Sequence, residues 1–110
     1  MKFAATMLVL VGLASASAAS ASASAIKTDT DFLRASRCKG LAAGMGVDTA
    51  SLDSLLKTEA RWRQDAVVKM AQDEQDKARR QARDANLKDK LTAELSGPCT
   101  AYLGSPKQAS

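Results

Sequence analysis

Two cysteines, a run of acidic side chains and a cluster of arginines carry most of the chemistry available to this 110-residue chain. Histidine is absent. That removes the commonest general base, the Ser-His and Cys-His nucleophile pairs and the usual zinc ligand. Acid–base work would fall to carboxylates, and Asp73, Glu74 and Asp76 form the densest acidic group. Such catalysis needs a pocket that drives two carboxyl pKa values apart. Here basic residues surround the group in a segment expected to face water, so it reads as structural charge. It also lacks the glycine and spacing of a calcium-binding EF-hand loop. Gly40, Gly44 and Gly46 do not fit G-x-x-x-x-G-K-[ST], so they make no phosphate loop and read as helix termination. No catalytic residue, cofactor site or metal site is expected, and the chain does not read as an enzyme.

The residues that could touch a partner are basic and aromatic. Lys77, Arg79, Arg80 and Arg83 cluster in sequence, and at helical spacing the three arginines share roughly one side. They could meet an acidic protein or an anionic envelope component, or form a solvated face balanced by Asp76 and Asp84. Trp62, between Arg61 and Arg63, is expected to anchor the core of an aromatic-poor domain; the alternative is an exposed binding aromatic. The net charge of +4 is a mild excess and not a nucleic-acid-binding composition.

The N-terminal residues set the compartment in which this chemistry would operate. Lys2 precedes the unbroken apolar stretch Phe3 to Leu13, followed from Ala14 to Ala25 by alanine and serine alone. Charge, apolar core and small residues in that order are the pattern of a cleaved signal peptide, with cleavage within residues 18–25. The apolar stretch falls well short of the roughly 20 residues of a membrane span, and no transmembrane segment is expected in the mature protein. Residues 26–104 then form a single helical domain and 105–110 a disordered tail. An exported protein meets oxidising conditions, where Cys38 and Cys99 are expected to pair. They are too far apart for a C-x-x-C redox motif. Closing the loop between them would stabilise a small domain by roughly 4 kcal/mol. An interchain bond and two free thiols are the alternatives.

Helices must position all of these groups. Thr30 or Asp31 can cap a first helix over about 31–43, with Phe32, Ala35, Cys38, Leu41 and Ala42 on one face. Gly44 and Gly46 end it. Val47 and Asp48 restart the chain as a hydrophobic staple against Leu52 and an N-cap. From Thr49 to Leu95 there is neither glycine nor proline. Leu52, Leu55, Leu56, Glu59, Arg63, Ala66 and Met70 trace a stripe that is apolar at both ends and polar in the middle, and Ala78, Ala82, Ala85, Leu91 and Leu95 continue a weaker one. Acid-before-base pairs four apart recur from Asp53–Lys57 to Asp84–Lys88. Gly97 and Pro98 end the run, leaving Cys99 to Leu103 for a final turn.

The disulfide bears on whether 49–95 is one helix or two. A straight helix of that length would run about 70 Å. The segment from Cys38 to Asp48 reaches at most about 35 Å. An intrachain bond therefore requires the chain to fold back, and Ala71 to Asp76, free of large apolar residues, is the expected bend. The fold class is all-α: a small three-helix bundle, or a helical hairpin with a short N-terminal helix, stapled by one disulfide. A long helix in a disulfide-linked dimer is the rival. The expected function is that of a small exported interaction or structural protein of the periplasm or extracellular space. In general plan, helical, exported and held by one disulfide, the chain is similar to small periplasmic acid-stress chaperones of the HdeA kind, which implies a holdase as the alternative.

Overall fold

The computed structural model describes residues 26–103; the expected signal peptide with its cleavage region and the expected tail over 105–110 lie outside the described residues. Five helices and no strand occur among the described residues: α1 (Asp29–Gly44), α2 (Ala50–Ala60), α3 (Asp65–Gln81), α4 (Lys88–Ser96) and α5 (Thr100–Leu103). A 3₁₀ turn over Ala85–Leu87 leads into α4. The class is all-α, with Cys38 joined to Cys99 in the same chain across a Cα–Cα distance of 5.6 Å. A single rod with an interchain bond is not the arrangement adopted.

Helix α1 starts two residues before the expected position. Thr28 is the N-cap and forms a capping box with Asp31: the Asp31 N–H donates to Thr28 Oγ1 at 3.1 Å, and the Thr28 N–H donates to Asp31 Oδ2 at 3.2 Å. The spacing T-x-x-D serves here as S/T-x-x-E does elsewhere, satisfying two otherwise orphaned amides. Met45 is the C-cap, and Gly46 follows at φ 77°, a left-handed conformation that glycine adopts without a Cβ penalty. Thr49 is the N-cap of α2 without a side-chain bond, while Asp48 Oδ1 accepts from the Ala50 N–H at 3.0 Å.

The bend expected within Ala71–Asp76 does not occur. Helix α3 runs straight through it, and the chain breaks instead at 61–64 and 82–84. Ala-Gln-Asp-Glu-Gln-Asp contains no glycine or proline to break a helix, and Ala71 at its start and Ala78 just beyond its end are buried against the core. At the second break Asp84 adopts an extended backbone and accepts the Asn86 N–H at 2.9 Å, an Asx turn that competes with helix. The first break leaves Gln64 extended ahead of α3. The chain thus reverses twice, and α4 and α5 bring Cys99 back to the middle of α1.

The main seam of the fold lies between α1 and α3. Gly40 faces Gln75 and Ala78, and Gly44 faces Arg79 and Ala82, so the two helices run in the same direction. A Cβ on Gly40 would collide with the Gln75 carbonyl oxygen and come 3.0 Å from Ala78 Cβ. Gly40 is therefore not a terminator: it lies inside α1, and its missing side chain lets two backbones approach closely. Around this seam Phe32, Leu41, Leu52, Leu56, Leu91, Leu95, Cys99 and Tyr102 close the core, with Ile26 tucked in at the start.

Candidate functional site

The polar interruption in the Leu52-to-Met70 stripe becomes a structural clamp. Leu52, Leu56 and Glu59 are buried on α2. Arg63, just past the end of α2, donates from Nη2 to Glu59 Oε1 at 2.7 Å and from Nη1 to Asp29 Oδ1 at 2.6 Å. Its guanidinium carbon lies 5.0 Å from the centre of the Phe32 ring. The side chains of Arg63 and Glu59 are only 9% and 10% exposed. Burial opposes the Arg63 charge, but the bonds to Glu59 and Asp29 outweigh it and raise its pKa above the ordinary arginine value. One cation therefore ties the start of α1 to the end of α2 and fixes the chain at the first break.

That fixed break puts Trp62 outside. Trp62 is 64% exposed and Met70 is 52% exposed, the two large apolar side chains that stand out among the described residues. The expected role of Trp62 as a core anchor is overturned. Residues 61–64 form a turn, so Arg63 points in to its carboxylates while Trp62 points to water. Ala66 and Met70, apolar members of the expected stripe, are exposed for the same reason: the turn breaks the helical phase that would have kept them in line with Leu52 and Leu56.

The arginine cluster lies at the opposite end of the α1–α3 pair. Arg80 and Arg83 are exposed, while Arg79 is half-buried and 3.6 Å from Asp76. Because α1 and α3 are parallel, their C-termini meet here, each carrying about half a negative elementary charge. Helix α1 has no basic residue in its last turn, and Arg79 and Arg80 occupy the last turn of α3 beside Gly44. The cluster thus has an internal counter-charge. Lys77 is 3.9 Å from Glu74, and Asp73, Glu74 and Asp76 lie along α3 without converging on a pocket.

Two further ion pairs join α1 to its neighbours. Arg37 grips Glu94 with Nε and Nη2, at 2.7 and 3.0 Å, and donates from Nη1 to Gln81 Oε1 at 2.9 Å. The hydrogen bond to Glu94 is the main cause of its raised pKa. Lys39 Nζ is 3.0 Å from Asp53 Oδ1, an ion pair without hydrogen-bond alignment. Of the i, i+4 pairs expected from the sequence, Glu59–Arg63 forms; Asp53 is taken by Lys39, and Lys77 and Arg79 choose acids three residues before them. Arg37 and its partners were missed because they are 44 and 57 residues apart. The Glu59–Arg63 clamp did leave a signal, as two charges interrupting an apolar stripe.

A hollow of about 140 Å³ is lined by Thr30, Leu33, Arg34, Arg37 and Glu74, smaller than the several hundred Å³ of a typical ligand cleft. Among the described residues no three His, Cys, Asp or Glu side chains gather where they could hold a metal ion, and no helix is long and apolar enough to cross a membrane. The arrangement leaves one large aromatic, Trp62, exposed in a turn whose next residue is held by two carboxylates. No family model, no curated protein and no solved structure matches this chain.

Proposed function

We propose that this chain is an exported, non-catalytic helical protein of the periplasm or extracellular space that works by surface contact. The observation carrying this reading is Trp62, held out to solvent by a turn whose next residue is clamped by two carboxylates. A large aromatic exposed on a rigid mount loses little entropy on binding, which is why such residues dominate interfaces. Export is supported by the leader sequence and by a disulfide suited to an oxidising compartment. The lack of histidine supports a non-catalytic role. The test is photo-crosslinking from position 62 in the native compartment, where a specific adduct is expected. A monomer that yields no adduct there would count decisively against the reading.

One observation favours a second reading, the periplasmic stress holdase. The contacts between helices include three ion-pair sets, on Arg37, Lys39 and Arg63, each needing an ionised carboxylate. Acid that protonates those partners would leave Arg63 largely buried without a counter-charge, a strongly unfavourable state, and loosen apolar faces for client binding. Suppression of client aggregation at acid pH supports this second reading; no suppression removes it.

A further inference from the structure

We propose that the end of the molecule carrying Trp62 docks on a bilayer of anionic phospholipid, a partner assignment that rests on the surface-contact reading above. Trp62 and Met70 supply the apolar component, with exposed Ala66 between them in sequence. Lys57, Arg61 and Lys69 are exposed on the same stretch, and none forms an ion pair among the described residues. The carboxylates nearby are largely committed. Asp29 and Glu59 hold Arg63, Asp31 caps α1, and Asp65 sits in the first turn of α3, where the positive helix end offsets its charge. Asp73 remains on this face, one helical turn beyond Lys69 and Met70, and it lowers the net positive charge there without cancelling Lys57 and Arg61 on α2 and its end. Tryptophan beside lysine and arginine is the composition that settles at the headgroup level of an anionic membrane, with the ring at the interface and the cations on the phosphates.

Chain entry points the same way. Asp29 binds Arg63, the neighbour of Trp62, and Ile26 is buried three residues before Asp29. The polypeptide preceding Ile26, which carries the apolar segment Phe3–Leu13, therefore joins the domain at the Trp62 end. The arginine end differs: among the described residues no large apolar side chain is exposed beside Arg79, Arg80 and Arg83, and two helix C-termini offset their charge.

Trp62 is the only tryptophan in the chain, so its fluorescence reports this surface alone. The exported, disulfide-bonded protein is titrated at low salt with vesicles of phosphatidylglycerol and phosphatidylcholine (3:1) and with pure phosphatidylcholine vesicles. A shift of emission to shorter wavelength and co-sedimentation are expected with the anionic vesicles alone, reversed by high salt. Replacing Lys57, Arg61 and Lys69 together by glutamine weakens binding roughly a hundredfold, about fivefold per charge. Trp62→Ala, with unchanged circular dichroism, lowers co-sedimentation, whereas Arg80→Gln with Arg83→Gln does not. An unshifted spectrum, an equal shift with neutral lipid, or full binding by the triple variant overturns the proposal. A shift induced by polyglutamate but not by vesicles reassigns the surface to an acidic protein and also overturns it. A crosslinked protein partner at position 62 without vesicle binding sinks the lipid assignment and leaves the surface-contact reading standing.

Discussion

The two ends of the parallel α1–α3 pair are both rich in arginine and differ in what the arginines do. At the start of the pair, Arg63 is drawn inward onto Asp29, Glu59 and the Phe32 ring, and its neighbour Trp62 is turned out. At the far end, Arg80 and Arg83 stay in solvent beside two helix C-termini. Residue type does not separate these roles. Burial does: a cation closed off from water demands carboxylate partners, while one beside a helix C-terminus needs only proximity and contributes a fraction of a kcal/mol. Between the ends lies a seam of glycine and alanine that holds both helices in register.

The comparison can be broken most severely at the staple. Cys38→Ser with Cys99→Ser is expected to cost about 2–5 kcal/mol, read by urea denaturation under non-reducing conditions. The arms from α4 onward should then show faster amide exchange than α1 and α3. A cost under about 0.5 kcal/mol would mean that the helices alone hold the shape. Filling the seam comes next. Gly40→Ala must push α1 and α3 apart, and the expected loss is about 1–3 kcal/mol despite the better helix propensity of alanine. An increase in melting temperature would show that the seam is looser than described.

The clamp and the arginine cluster should then differ in size. Arg63→Met leaves Glu59 largely buried without its cation, for an expected loss of about 2 kcal/mol, tempered by the partial exposure of Asp29. It should also change the emission of Trp62, whose turn Arg63 fixes. Arg80→Gln or Arg83→Gln should cost under about 0.5 kcal/mol each, with any effect fading in salt. Equal losses at both ends would erase the distinction.

The smallest effect concerns acid. The Asp31 carboxylate accepts the backbone N–H of Lys27 and Thr28 and the helix cap depends on it, so its pKa is lowered below the ordinary aspartate value. A depressed folded-state pKa stabilises above the unfolded value and is lost as pH falls through the folded one. Asp31→Asn should therefore flatten the acid limb of a stability-versus-pH curve measured by circular dichroism, below about pH 4. An unchanged acid limb would assign that limb to other carboxylates.

Much of the architecture was legible from spacing. The apolar face Phe32, Ala35, Cys38, Leu41 and Ala42 marked α1, Leu52 and Leu56 marked α2, and Gly97–Pro98 marked the end of α4, because each is a local consequence of helical period or backbone chemistry. The bend was misplaced for a physical reason. A break needs a competing local structure, here the Asx turn at Asp84 and the clamp at Arg63, and not simply the absence of large apolar residues. Gly40 looked like a terminator because a small residue has the same local signature whether it ends a helix or admits a neighbour.

By itself, then, the order of residues determined the helical class, a disulfide able to close only if the chain folded back, and a chemistry without histidine. Those follow from short-range sterics and composition. The caps fell at Thr28 and Thr49 and not at Thr30 or Asp31 and Asp48. Tertiary structure alone decided that α1 and α3 run parallel, that Arg63 turns in while Trp62 turns out, and that Arg37 finds Glu94 and Gln81. The reason is common to all three: burial of a charge or a backbone is paid only where partners distant in sequence converge, and no local pattern records that convergence.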